Sequence, residues 1–239
     1  MSIPISFCRK IENGFAHLAD DEAHHLISVL RKKVGDALII VDGAGRFFTA
    51  ELAELHKKTA LARLLSEKTE VGKRPFRLHM AVAPTKNLDR FEWFLEKATE
   101  IGIEEITPIR CRRSEREVVR LDRLEKVIVA AMKQSQRAYL PKLNELVDFQ
   151  AFMKKMEAEK TAQKFIAYCN DDALPLLKTQ IEPRSDLLIF IGPEGDFSDD
   201  EIKLAKQNGF AGVSLGAARL RTETAAVAAC LTASLMNES

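Results

Sequence analysis

The chain has 239 residues, 46% of them hydrophobic, and its 36 Lys and Arg nearly balance 35 Asp and Glu for a formal net charge of +1. That length can bury a good core in one large or two modest domains. The charge balance excludes a bulk polycation, so any nucleic-acid surface must be a local patch.

Cys8, Cys111, Cys169 and Cys230 are scattered without paired spacing. This argues against a disulfide framework or a zinc site and fits reduced thiols in a cytoplasmic setting. No charged head followed by an apolar stretch marks a signal peptide. No apolar run reaches the ~20 residues of a membrane span. No internal repeat or low-complexity segment is visible.

In chain order, Asp20 or Asp21 is expected to cap a short helix with Ala23, Leu26, Ile27 and Leu30 on one face. After Gly35 and Asp36 the pattern turns β-like. Strands are predicted over 37–41, 46–55 and 59–65, with Asp42-Gly43-Ala44-Gly45 as a turn. Short strands at this spacing suggest a small barrel. Arg31, Lys32 and Lys33 form a basic corner that, on these residues alone, reads as a solvated helix end. His24 and His25 are adjacent and point apart, with no third ligand nearby for a metal. Residues 66–74 are polar and precede Pro75, which sets the expected division at 1–74 and 75–239.

A strand is predicted over 76–83. Asp89 is expected to cap a helix carrying Phe91, Phe94, Leu95, Ala98 and Ile101 and closed by Gly102. Trp93 lies off that stripe and suits edge packing or a dimer contact. Another strand follows over 103–109. Next comes an arginine-rich stretch, Arg110, Arg112, Arg113, Arg116, Arg120 and Arg123, interrupted by Glu115, Glu117 and Asp122. Such a run is often a solvated, ion-paired surface. Arg110, Arg112 and Arg113 directly follow a strand, where the bidentate guanidinium suits RNA phosphate. Arg120 and Arg123 read as solvated pairs. Helices are predicted from Leu121 to about Ala138 and around Phe149–Met156, then a strand over 164–169.

The last quarter is the most informative. Leu187 to Ile191 is a continuous apolar run, as in a parallel strand buried on both faces. Gly192-Pro193-Glu194-Gly195 follows, with glycines that let the backbone approach a ligand. Ser198 and Glu201 form a capping box for a helix that stops at Asn208-Gly209. A strand over 210–215 leads to a second turn, Leu215-Gly216-Ala217-Ala218-Arg219-Leu220-Arg221-Thr222-Glu223-Thr224-Ala225, and a helix to about Met236. Either turn alone reads as an ordinary strand-to-helix connection. Two such turns side by side make a pocket of backbone groups at the carboxyl ends of strands, where α/β sheets bind ligands. Glu194, Arg219, Arg221 and Glu223 cluster there, and ionisable groups are rarely placed for packing. No Gly-x-Gly-x-x-Gly or phosphate-loop pattern is present.

Ile191-Gly192-Pro193-Glu194-Gly195 followed by Leu215-Gly216 and Leu220-Arg221-Thr222-Glu223-Thr224-Ala225 resembles the RsmE family of ribosomal RNA methyltransferases, within the SPOUT (trefoil-knotted) superfamily. The resemblance covers nearly the whole chain. It implies a mostly parallel C-terminal α/β sheet with a trefoil knot, and an N-terminal PUA-like β-barrel recognised through His24-His25-Leu26, Val29-Leu30-Arg31 and Gly35-Asp36. It implies methylation of uridine N3 in 16S rRNA, in the small ribosomal subunit or its precursor, with S-adenosylmethionine as donor. A homodimer is implied, with no membrane or metal partner.

By this resemblance the donor pocket takes Ile191, Gly192, Pro193, Glu194, Gly195, Leu215, Gly216, Leu220, Thr222 and Ala225, with Tyr168, Cys169 and Asn170 as a third wall. Arg31 and Lys32 become RNA contacts. So do Arg116, in a Ser114-Glu115-Arg116 signature, and Gln134 and Arg137. Lys133 stands where the family pattern has an acid, and Ser135 and Arg137 are one residue closer than usual. Ala217 and Ala218 replace the family's Pro-Arg, which leaves Arg219 to offer charge to RNA one position later.

Methylating N3 requires loss of its proton and stabilisation of the anion spread over O2 and O4. Arg221 is the expected stabiliser. Glu223 is the expected base or base-orienter, with Glu194 a weaker candidate that braces its turn. Two alternatives stay open: a related SPOUT enzyme acting on another RNA or on ribose 2′-OH, and a non-catalytic RNA-binding protein.

Overall fold

The structure, a computed structural model, describes residues 3–156, 163–169 and 173–237. The chain divides into two compact units, Met1–Lys73 with Val129–Leu140, and Arg74–Ile128 with Pro141–Ser239.

The first unit holds β1 (Ile5–Phe7), β2 (Ile11–Glu12), β3 (Phe15–Leu18), α1 (Asp20–His24), β4 (Ala37–Val41), β5 (Phe47–Leu55) and β6 (Ala60–Lys68). They form one sheet in the order β1-β4-β5-β6-β3-β2. It is antiparallel apart from the β1–β4 pair. Alternation sets its inner face: Ala16 and Leu18, Leu38 and Ile40, Phe48, Ala50 and Leu52, and Ala60 and Ala62 meet in one core with Ala23 and Leu26. Residues 66–68, expected in the linker, continue β6.

The expected acidic cap of α1 is corrected. The N-cap is Ala19, with no side-chain bond, and the amides of Glu22 and Ala23 bond back to its carbonyl at 3.0 Å. The helix then widens into a π turn, His25–Val29, and Arg31 takes φ 51°. Residues 129–140 join this unit through bonds as well as contact. Lys133 pairs with Glu22. Gly45 N–H donates to Ala138 O at 3.0 Å and Leu140 N–H to Gly43 O at 2.9 Å. A Cβ on Gly45 would lie 2.3 Å from Tyr139, so only glycine fits under that crossing.

The second unit holds β7 (Leu78–Val82), α2 (Leu88–Ile101), β8 (Glu105–Arg110), α3 (Leu121–Gln134, whose tail belongs to the first unit), β9 (Lys142–Leu143), β10 (Val147–Asp148), α4 (Phe149–Met156), β11 (Gln163–Ala167), β12 (Leu187–Ile191), α5 (Asp199–Gln207), β13 (Ala211–Val213) and α6 (Thr222–Asn237). The sheet order is β10-β8-β7-β12-β11-β13, with β9 also on β8. Among the described residues every pair is parallel. All five residues of β7 and of β12 are buried, as central strands covered on both faces require. Phe149, Phe152, Phe190, Phe197 and Phe210 form an aromatic core, with the Phe190 and Phe210 rings 4.4 Å apart.

The capping box of α5 forms as expected, and Gly102 closes α2 at φ 105°. The start of α2 differs. Asn87 is its N-cap, accepting from the Asp89 amide at 3.1 Å, and Asp89 sits inside the first turn.

Because the strands are parallel, their amino ends share one edge. There Glu105, buried at 5% exposure, takes Nδ2–H of Asn144 at 2.6 Å and ion pairs from Arg77 and Lys142. Thr107 links Asn144 to His79. Burial alone would raise the Glu105 carboxyl. The Asn144 hydrogen bond and the charges of His79 and Arg77 outweigh it and hold the group at about 2 against an ordinary 4.5. A folded-state value below the unfolded one gives stability that is complete above the unfolded value and lost as the pH falls towards 2. Thermal melts from about pH 6 to pH 2.5 are expected to show a steep acid loss in the wild type. Glu105→Gln should start lower at neutral pH and lose less over the same range.

Candidate active site

The carboxyl edge of the second sheet gathers the loops after β7, β8, β11, β12 and β13. These segments have no ladder to satisfy their backbone groups, and charged side chains from neighbouring loops do so instead.

In the first glycine turn, Glu194 Oε1 accepts the Lys86 amide at 2.9 Å, which ties the β12 turn to the loop after β7. Asp196, at φ 63°, accepts the Cys169 amide at 2.9 Å and its neighbour Phe197's amide at 2.8 Å. This ties the turn to the loop after β11. Arg113 donates to the carbonyls of Gly195 at 2.9 Å and Phe197 at 3.2 Å. Arg116 donates to the Thr85 carbonyl at 3.1 Å and to that of Lys86. The Arg112 amide donates to Glu201 at 2.8 Å.

The glycines differ in purpose. A Cβ on Gly192 would stand 3.1 Å from the Phe197 ring, and one on Gly195 3.2 Å from Arg113 Cβ. These two make room for protein. Gly216, at φ 128°, has nothing within 4 Å of its Cβ position. Its left-handed-side φ, and not lack of room, is what calls for glycine there.

The second turn lies close to the other two walls. Burial first, then the Asp196 carboxylate, push the Cys169 thiol up, and the Arg219 guanidinium pulls it partly back. Tyr168 is buried and covers Gly212, whose Cβ would meet its hydroxyl at 2.9 Å. Ile191, Gly192, Pro193 and Thr222 are buried; Leu215, Leu220 and Ala225 are half-buried; Glu194, Gly195, Gly216, Arg219 and Arg221 are exposed. Asn170 lies outside the described residues.

Glu223 is in the first turn of α6 and only 8% exposed. Its Oε1 is 3.9 Å from Arg90 Nε, and its Oε2 is buried with no hydrogen-bond partner among the described residues. A buried orphan oxygen is costly unless something else completes it.

Of the arginines expected at RNA, Arg110 and Arg112 are exposed and pair with Asp148 at 2.6 Å and Asp200 at 3.1 Å. They line a cavity of about 560 Å³ beside the starts of α4 and α5. Arg113 and Arg116 instead anchor backbone. Arg31, Lys32, Gln134 and Arg137 belong to the first unit; Arg31 and Gln134 are exposed, and Lys32 Nζ lies 4.0 Å from Asp36. Sequence reading missed Arg90 and Asp196. Asp196 had a local signal, an acid directly after the Gly195 turn. Arg90 had none.

Residues 72–234 match the model of an RNA methyltransferase domain, and residues 18–65 that of an RNA methyltransferase PUA domain. The fold and this edge therefore define an RNA methyltransferase with a PUA domain. The chain is 31% identical over 231 residues to ribosomal RNA small subunit methyltransferase E of Rickettsia conorii, covering 92% of this chain and 90% of that one. A probable rRNA-methyltransferase from Porphyromonas gingivalis aligns with a TM-score of 0.86 at 38% identity, over 95% of each chain. Ribosomal RNA small subunit methyltransferase E from Neisseria gonorrhoeae, in a crystal structure bound to S-adenosyl methionine, gives 0.84 at 29% identity over 96% of this chain and 95% of that one. The chain belongs to the ribosomal RNA small subunit methyltransferase E family.

Arg116→Ala removes two bonds to the loop after β7. It is expected to lower stability by about 1–2 kcal/mol, measured by denaturant unfolding, and to weaken methyl-donor binding. Affinity for RNA in the absence of donor should stay near wild type.

Proposed function

We propose that the protein transfers a methyl group from S-adenosylmethionine to N3 of a uridine in 16S rRNA of the small ribosomal subunit or its precursor, in the cytoplasm. The observation that carries this reading is Glu223: a buried carboxylate with one unsatisfied oxygen, at the head of the helix that follows the open Gly216 turn.

The residues fit a methyl donor. The Gly216 turn leaves backbone beside open space, and the Glu194 and Asp196 bonds hold three loops in register around it. Ile191 to Gly195, Leu215, Gly216, Leu220, Thr222 and Ala225 would hold it, with Tyr168, Cys169 and Asn170 as the further wall. Bound donor supplies an electrophilic methyl carbon on a sulfonium; the protein supplies position and charge. Glu223 takes the N3 proton. Arg221 stabilises the negative charge left on the carbonyl oxygens of the base. Glu194 is already bonded to the Lys86 amide and braces its turn.

RNA is held on both units. The N-terminal domain, residues 1–74, offers Arg31 and Lys32, and Gln134 and Arg137 add to it. The catalytic domain, residues 75–239, offers Arg110, Arg112 and Arg219. A phosphate can displace the exposed Asp148 and Asp200 partners, because such surface pairs are worth only ~0–1 kcal/mol. The target base must be unstacked for N3 to be reached. The C-terminal segment follows the knotted path the superfamily implies. A homodimer is supported by the apolar side chains exposed on α2 and α6, Trp93 at 43%, Leu231 at 45% and Leu235 at 58%. Among the described residues no cluster is arranged to hold a metal, and no helix is long and apolar enough to cross a membrane.

The test is nucleoside mass spectrometry of RNA from unmodified small subunits incubated with protein and S-adenosylmethionine. N3-methyluridine is the expected product. A different methylated nucleoside would move the substrate, and no methylation with no donor binding would leave an RNA-binding protein. Glu223→Gln and Arg221→Ala are each expected to slow turnover by about 10²-fold or more while donor and RNA still bind. Wild-type rates for both would remove these roles.

A further inference from the structure

Arg90 stands on the first turn of α2, where its amide bonds to the Asn87 carbonyl at 3.2 Å. Its Nε is 3.9 Å from Glu223 Oε1. That is a charge contact, longer than a hydrogen bond. Glu223 Oε2 has no hydrogen-bond partner among the described residues. The pairing is asymmetric: a cation sits beside one carboxylate oxygen, and the other has no hydrogen-bond partner among the described residues.

The two acids that flank Arg90 on α2 have another partner. Asp89 and Glu92 are both engaged by Arg123. The start of α2 is also held in place. Lys86, one residue before the Asn87 cap, gives its amide to Glu194, and its carbonyl accepts from Arg116. The bonds that fix the first glycine turn thus also fix where Arg90 emerges.

We propose that Arg90 is a positioning residue for methyl transfer: it holds the Glu223 carboxylate in one orientation, so that the oxygen without a hydrogen bond meets the N3–H of the target uridine. This rests on the reading of Glu223 as the proton acceptor. A hydrogen-bonded partner on both oxygens would keep the charge but occupy the acceptor site. A cation at 3.9 Å from Oε1 fixes the carboxylate's orientation and leaves Oε2 without a hydrogen bond among the described residues. In the step itself the N3–H bond breaks and its proton passes to Glu223 Oε2. The nitrogen's electron pair forms the new bond to the methyl carbon, and the methyl–sulfur pair stays on sulfur.

The test uses the full chain with Arg90→Met, Arg90→Lys, Glu223→Gln and the double variant Arg90→Met/Glu223→Gln. Single-turnover methylation of unmodified small subunits is read together with S-adenosylmethionine affinity by calorimetry and with thermal stability. Arg90→Met is expected to slow the chemical step roughly tenfold, with donor affinity and melting temperature near wild type. Arg90→Lys, which keeps the charge, should recover most of the rate. The double variant should be no slower than Glu223→Gln alone, because the two residues act through one proton acceptor. The proposal is overturned if Arg90→Met runs at the wild-type rate while Glu223→Gln is slow, if its loss lies wholly in donor affinity or stability, or if the double variant loses the full factor of both. A wild-type rate in Glu223→Gln would instead remove the proton-acceptor reading and this proposal with it. If Arg90→Met does not fold, Arg90→Gln is judged by the same criteria.

Discussion

The second unit depends on one constraint: loops at the carboxyl edge of a parallel sheet satisfy only part of their own backbone groups. The structure meets it by lending side chains across loops. Glu194 takes the Lys86 amide, Asp196 that of Cys169, and Glu201 that of Arg112, while Arg113 and Arg116 cover carbonyls of the turns opposite them. Each is a bond to a charged group, the class worth about 1.5–3 kcal/mol when sheltered and less at the surface. None of these bonds is local in sequence. Loosening one loop therefore loosens at least two, and the glycine turns keep their shape without side chains of their own to fill them.

The same arrangement sorts the arginines by what they are bonded to. Arg110 and Arg112 meet carboxylates on exposed chains, at 2.6 and 3.1 Å. Water and salt screen such pairs, and a phosphate can replace the partner at little cost. Arg113 and Arg116 meet backbone carbonyls, which cannot swing away, so a phosphate taking either would leave a turn unsatisfied. A run of like residues thus divides into two groups, one in exchangeable surface ion pairs and one bonded to the backbone of the turns. The net charge of +1 hides this division, because acids are spent on the first group and carbonyls on the second.

What the sequence made legible was local. The apolar run of β12, the Ser198–Glu201 capping box, Gly102 closing α2 and the strand-turn-helix rhythm of the last quarter all follow from residues within a few positions of one another. The misses have physical causes. Asn87 and Asp89 both suit a cap, and only the path of the loop after β7 chooses Asn87. Ala19 takes the N-cap place of α1, one residue before the acids that suit a cap. The paired segments β9 and β10 are two residues each, too short to show a period. Arg113 and Arg116 carry the same side chain as Arg110 and Arg112, and their different use lies in carbonyls up to 84 positions away. The His79, Thr107, Asn144 and Glu105 network and the Arg90–Glu223 contact join residues distant in sequence, which no local pattern records.

Orphan oxygens on buried carboxylates need not mean the same thing. Glu22 keeps one unpartnered oxygen, yet its other oxygen holds the Lys133 ammonium in a close pair. Glu92 is gripped by the Arg123 guanidinium. Both charges are compensated within the fold. Glu223 is different, with its nearest cation at 3.9 Å and no hydrogen bond on the buried oxygen. Helix position eases its cost, since a carboxylate in the first turn of α6 meets the positive end of the helix dipole. That favour is worth about 0.3–1 kcal/mol at exposed sites, less than the ~1–3 kcal/mol of an unsatisfied buried acceptor. A residue kept for stability alone would be better replaced by glutamine or an apolar side chain. The dipole alone therefore does not offset the unsatisfied oxygen, which sets Glu223 apart from the two carboxylates whose charge is met inside the fold.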